Sequence, residues 1–154
     1  MYQDTIEIET NTFKVDIKLK SIISVATGYS STGKTFLVKM LELLQDINKS
    51  NILKSNIDIN DLIICRREND ITNLLKLNSN CEGKTIFIDR YDYLKSDDLK
   101  EFILSGKNRI ILMSHTFYNQ LELHAESFII INYDKENRTF YTEELINHLG
   151  EDIL

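Results

Sequence analysis

The sequence predicts an α/β protein: a three-layer sandwich on a mainly parallel sheet, with an N-terminal β-hairpin and a C-terminal antiparallel hairpin added at the sheet edges. Three observations lead there. Short apolar runs rich in β-branched residues alternate with stretches of helical spacing through the middle of the chain. Those runs stop at a glycine or a polar side chain, as buried parallel strands do. The two ends of the chain show period-two alternation broken by turn residues instead.

Taken in order, TIEIETNTFKVDIKL at 5–19 puts Ile6, Ile8, Phe13, Val15, Ile17 and Leu19 on alternating positions around Asn11-Thr12, which predicts a hairpin. SIISVAT is an apolar strand that enters a turn at Gly28. KTFLVKMLELLQDI then carries Phe36, Leu37, Met40, Leu41, Leu44 and Ile47 at helical spacing. DLIICRR reads as a second strand, and DITNLLKL as a short helix capped by Asp70. KTIFIDRYDYL is a third strand, followed by a helix that starts from a cap at Ser96 or Asp97 and ends at Gly106. RIILMSH is a fourth strand. SFIIINYDKENRTFY closes as a hairpin around Lys135-Glu136-Asn137, and a short helix begins near Glu143. No proline and no low-complexity linker interrupts the series, so residues 1–154 read as a single domain.

A chain of 154 residues buries about two thirds of the surface its unfolded form exposes. With 42% hydrophobic and 27% charged residues, the composition is that of a globular protein. A net charge of −6 does not indicate a nucleic-acid-binding surface. Cys65 and Cys81 lack metal-ligand spacing and read as core thiols of a reduced compartment. No apolar run is long enough for a membrane span and the first residues show no signal region, so the expected localisation is cytoplasmic.

The chemistry is concentrated in GYSSTGKT, residues 28–35, which matches Gly-x-x-x-x-Gly-Lys-Thr at every position. Such a phosphate-binding loop works between a strand and a helix, and both flanks are predicted here. Backbone amides of Gly28, Tyr29, Ser30, Ser31, Thr32 and Gly33 would wrap the phosphates of ATP, with the amides of Lys34, Thr35 and Phe36 at the helix start adding to them. The Lys34 ammonium would reach the β- and γ-phosphates, and the Thr35 hydroxyl would ligate Mg²⁺. A second match in miniature, EGKT at 82–85, has Asn78 where the first glycine belongs and precedes a strand instead of following one; it is a decoy. Magnesium also needs a carboxylate, and TIFID supplies Asp89 where the third apolar run stops.

This layout resembles the additional-strand class of P-loop ATPases, which includes RecA-like, AAA-type and ABC-type enzymes. The region from FIDRYDYL through RIILMSH to SFIIINYDKENRTF is similar to the end of a minimal ABC-type core, and the N-terminal hairpin resembles that family's antiparallel β-subdomain. The resemblance implies that Ser114 and His115 sit against the γ-phosphate. It also implies a catalytic glutamate directly after Asp89, where this chain has Arg90. The 42 positions between Ile47 and Asp89 are too few to hold both a second strand and the family's helical signature subdomain. LSGK at 104–107 follows Asp89 and reads as a helix end. Activation of water would therefore pass to Asp92 or His115.

The expectation is an ATP-binding protein, a slow or partner-stimulated Mg²⁺-dependent ATP hydrolase acting as a nucleotide-controlled interaction module toward a protein partner or a second copy of itself. Two alternatives stand beside it. One is a small-molecule or nucleotide kinase, although Arg66, Arg67 and Arg90 form no lid insert. The other is an ATP-binding module that does not hydrolyse. Neither Asp-x-x-Gly nor Asn-Lys-x-Asp occurs, which argues against a GTPase.

Overall fold

The structure, a computed structural model, describes residues 4–27, 33–46, 51–77, 80–91, 96–114 and 127–144. Among them, strands β1 (Asp4–Thr10), β2 (Lys14–Leu19), β3 (Ile23–Ala26), β4 (Ile52–Ser55), β5 (Leu62–Cys65), β6 (Thr85–Ile88), β7 (Arg109–Met113), β8 (Ser127–Asp134) and β9 (Thr139–Glu144) form one sheet in the order β4-β1-β2-β9-β8-β3-β7-β6-β5. Helices α1 (Lys34–Asp46), α2 (Glu68–Leu77) and α3 (Asp97–Leu104) pack on it.

This architecture corrects the predicted one. The sheet is mixed, curled into a half-barrel and the dominant part of the fold, not the mainly parallel middle layer of a sandwich. Both hairpins form, β1 with β2 and β8 with β9, but neither is an edge addition. The β8–β9 hairpin sits in the middle, with β9 parallel to β2 and β8 parallel to β3. The edges are β4, which was not anticipated, and β5. The physical reason lies in the alternating apolar side of the first hairpin. Ile6, Ile8, Val15, Ile17 and Leu19 need a cover, and they share a buried cluster with Leu37, Val38, Leu41 and Leu44 of α1. A sheet that wraps α1 can bury both hairpins and the parallel strands against one helix.

Several contacts hold the curl. Arg109, at the start of β7, bonds the Asp4 carboxylate at the start of β1, although four strands separate β1 from β7 in the sheet order. The two edge strands are consecutive in sequence, joined through 56–61, which limits how far apart they can stand. Gln45 of α1 donates to the Leu62 carbonyl of β5. The convex side of β5, β6 and β7 is covered by α2 and α3 through Ile71, Leu74, Leu99 and Ile103, packed on Ile86, Ile88, Ile110 and Leu112.

Local signals behave largely as expected. Ser96 Oγ accepts from the Leu99 amide at 3.2 Å, and Gly106 has the positive φ of a helix end, +74°. Asp70 is not the N-cap of α2 but lies inside its first turn. Its carboxylate reaches back to the amides of Arg66 and Arg67 at 2.9 and 3.1 Å, the return half of a capping box. The strand β9 runs through Glu144, and the remainder of the predicted C-terminal helix lies outside the described residues.

Both cysteines are free and buried. Burial pushes the Cys65 thiol up to about 12 from 9.0, with the Asp70 charge adding to it. The unfolded chain therefore ionises first. The stabilisation is complete below 9.0 and is lost as pH rises toward 12. The urea midpoint should fall across that window, and Cys65→Ala should flatten the fall; an unchanged slope in that variant would contradict the assignment. Leu41→Ala, which empties the centre of the α1 cluster, should cost about 2–5 kcal/mol in the same urea titration.

Candidate nucleotide site at the carboxyl ends of the parallel strands

Strands β8, β3, β7, β6 and β5 run parallel in that order. The chain leaves β3 for α1 on the concave side and leaves β6 for α3 on the convex side. A sheet whose connections part in this way opens a crevice at the carboxyl ends of its strands, where ligands bind in open α/β sheets.

The registers bring the first residues past each strand into two adjacent rows. Cys65 pairs with Ile88, so Arg66 stands beside Asp89. Ile88 pairs with Leu112, so Asp89 stands level with Met113, and Ala26 pairs with Met113, which sets Ser114 beside Thr27 one residue further along. The Ser114 amide donates to the Ala26 carbonyl at 3.0 Å, and the Asp89 amide to the Cys65 carbonyl at 2.8 Å. Thr27, Asp89 and Ser114 are all buried. Strands of four or five residues end together here, so polar side chains that would be costly in mid-strand line up at the rim.

Of the sequence-predicted site residues, Gly28, Tyr29, Ser30, Ser31, Thr32, Asp92 and His115 lie outside the described residues. The structure places the others. Gly33 has φ +115°, and a Cβ there would meet the Cβ and the backbone amide of Tyr133 at 3.4 Å. Lys34 opens α1 and is only 2% exposed, a buried cation rather than a surface lysine. Thr35 follows it, half-buried in the first turn. Phe36 is 42% exposed, its ring edge-on to Tyr133 with centroids 4.9 Å apart and 5.2 Å from Phe140. These rings fasten the start of α1 to β8 and β9. Asp89 is 6% exposed at the end of β6. Arg90, directly after it, points to solvent and takes a φ of +56°, rare for a residue with a Cβ.

Sequence reasoning missed Arg66. Its guanidinium lies 3.5 Å from Asp89 Oδ2 through Nε and 2.9 Å from Glu42 Oε1 on α1 through Nη1. The signal was present: Arg66 is the first polar residue after the apolar run of β5, the same position that marked Asp89 on β6.

EGKT makes no site. Gly83 and Lys84 spend their backbone amides on the Lys107 carbonyl and on Asn108 Oδ1, and Lys84 Nζ pairs with Asp61 at 2.8 Å. A separate groove of about 340 Å³ lies on the outer face of β4, β1, β2 and β9, where Glu9 and Lys14 pair at 3.1 Å. It offers alternating charges without the strand-to-helix geometry of the first site.

No family model and no curated protein matches this chain. Among the described residues, no helix is long and apolar enough to cross a membrane. Among them also, no group of three or more His, Cys, Asp and Glu side chains is placed to hold a metal ion.

Gly33→Ala forces a side chain into the φ of +115°. We expect a loss of about 1–3 kcal/mol of stability, read by urea unfolding, with secondary structure retained. An unchanged midpoint would contradict the backbone conformation described here.

Proposed function

We propose that the chain binds Mg²⁺–ATP at the carboxyl ends of its parallel strands and is a slow, partner-stimulated ATP hydrolase whose nucleotide state controls contact with another protein chain. The observation that carries this reading is the burial of two charged side chains at one end of the sheet, Lys34 at the first turn of a helix that follows a central strand and Asp89 one intervening strand away. A helix N-terminus and a buried ammonium both favour negative charge, and phosphate is the chemistry both recognise. Asp89 would add one carboxylate to a cation that takes most of its shell from water and phosphate.

The residues fit the group in a second respect. Gly33 brings backbone close to Tyr133 in a conformation that side chains avoid, so the chain enters α1 with its amides clear of a Cβ. Lys34 would hold the outer phosphates, Thr35 would face the cation, and Asp89 would orient the water around it. Magnesium, when bound, would neutralise phosphate charge and align the oxygens for attack. Arg90 cannot accept a proton from water at neutral pH, and this is the basis for slow turnover.

Titration calorimetry with ATP tests the reading. Lys34→Ala should weaken Mg²⁺–ATP binding by about 30-fold, the worth of one charge-assisted contact, while its circular dichroism stays that of the wild type. Wild-type affinity in that variant would refute the phosphate role. Asp89→Asn should weaken binding more in magnesium than in EDTA; equal losses would make Asp89 merely structural.

Turnover by the isolated protein should stay below about 1 per minute, against about 1–10³ per second for typical enzymes. Arg90→Glu, at an exposed position, should raise it in a phosphate-release assay. Brisk hydrolysis by the wild type, abolished by Asp92→Asn, would instead make Asp92 the base.

A further inference from the structure

Arg66 has no task in the chemistry above, yet it occupies the carboxylate that chemistry needs. Its Nε lies 3.5 Å from Asp89 Oδ2, and its Nη1 lies 2.9 Å from Glu42 Oε1. The side chain is 28% exposed, while Asp89 beside it is buried, so their attraction is only partly screened by solvent. The backbone on either side is fixed, because Asp70 holds the Arg66 and Arg67 amides. The guanidinium is therefore delivered to Asp89 by the end of β5 itself.

A divalent cation near Asp89 would repel a guanidinium so close to the same oxygens. We propose that Arg66 is the resident countercation of Asp89 and that Mg²⁺–nucleotide binding displaces it toward Glu42. The inference rests on the nucleotide reading and adds a competition to it: cation and guanidinium contend for one carboxylate. Glu42 makes the displacement mild. Arg66 already donates to it at the shorter distance, so rotation away from Asp89 leaves the cation paired. Glu42 sits on α1, the helix that begins at Lys34, so the released pair stays on the element that carries the phosphates. Arg66 would thus lower the protein's affinity for magnesium and keep Asp89 neutralised between nucleotide cycles.

The test is the ratio of ATP dissociation constants measured in EDTA and in magnesium, by titration calorimetry on the full chain. Arg66→Gln should raise this ratio about fivefold, the scale of a partly exposed ion pair. The same change in an Asp89→Asn background should leave the ratio where it was, because the contested carboxylate is gone. Glu42→Gln should lower the ratio, since Arg66 then bears on Asp89 alone; this second variant keeps the test decisive should Arg66→Gln fold poorly. A ratio that is unchanged or reduced in Arg66→Gln, or raised equally in both backgrounds, overturns the competition and leaves ATP binding intact. An unchanged or raised ratio in Glu42→Gln overturns it as well. No ATP binding by the wild type in either buffer would remove the nucleotide reading and this inference together.

Discussion

Leu37, Val38, Leu41 and Leu44 pack into one cluster with Ile6, Ile17, Phe87, Ile111 and Phe140, and the rest of the architecture follows from where that puts α1. Each such side chain is worth about 1.5–3 kcal/mol when taken out of water. The cluster draws from both hairpins and from the parallel strands, so both halves of the sheet bury their concave side against the same helix. The curl is the result. It brings Arg109 of β7 to Asp4 of β1 and lets the short link 56–61 join the sheet's two edges.

The same packing aims the chemistry. With its apolar side sunk in the concave sheet, α1 can present only its first turn to the carboxyl end of β3. The rings of Phe36, Tyr133 and Phe140 then fix that turn against the central hairpin. The parallel strands end within one residue of one another, so Thr27, Arg66, Asp89 and Ser114 come to one rim from four separate stretches of chain. Charge at this rim is balanced internally. Asp89 faces Arg66, Arg66 faces Glu42, and Glu42 returns to α1. A cation entering there changes a network that already spans β5, β6 and α1.

Much of the element list was legible, because periodicity is local. Both hairpins, the four strands β3, β5, β6 and β7 and the three helices follow from spacing that survives in four to thirteen residues. The strand β4 was not legible: only Ile52 and Ser55 of its four residues are even partly buried, and it pairs at an edge through a register shift. The placement of the β8–β9 hairpin in mid-sheet was not legible either. It depends on parallel pairing of β9 with β2, between residues more than a hundred positions apart, and nothing in either strand alone encodes that choice. At the site, Lys34 stands out by the Gly-x-x-x-x-Gly-Lys-Thr match and Asp89 by its place where an apolar run stops, and the structure buries both. Arg66, like Asp89, stands where an apolar strand stops, a sign that lies at a strand end and in no lid insert.

The central claim is that a triphosphate and its cation bind at this rim. It is tested most directly by mapping backbone amide shifts in a ¹⁵N-labelled sample as Mg²⁺–ATP is added. The account predicts the largest changes at Gly33, Lys34, Thr35, Asp89 and Ser114, with Arg66 moving only when magnesium is present, and little change in α2 beyond its first turn or in α3. Shifts confined to the outer face of β1, β2 and β4, or none at any concentration, would contradict it.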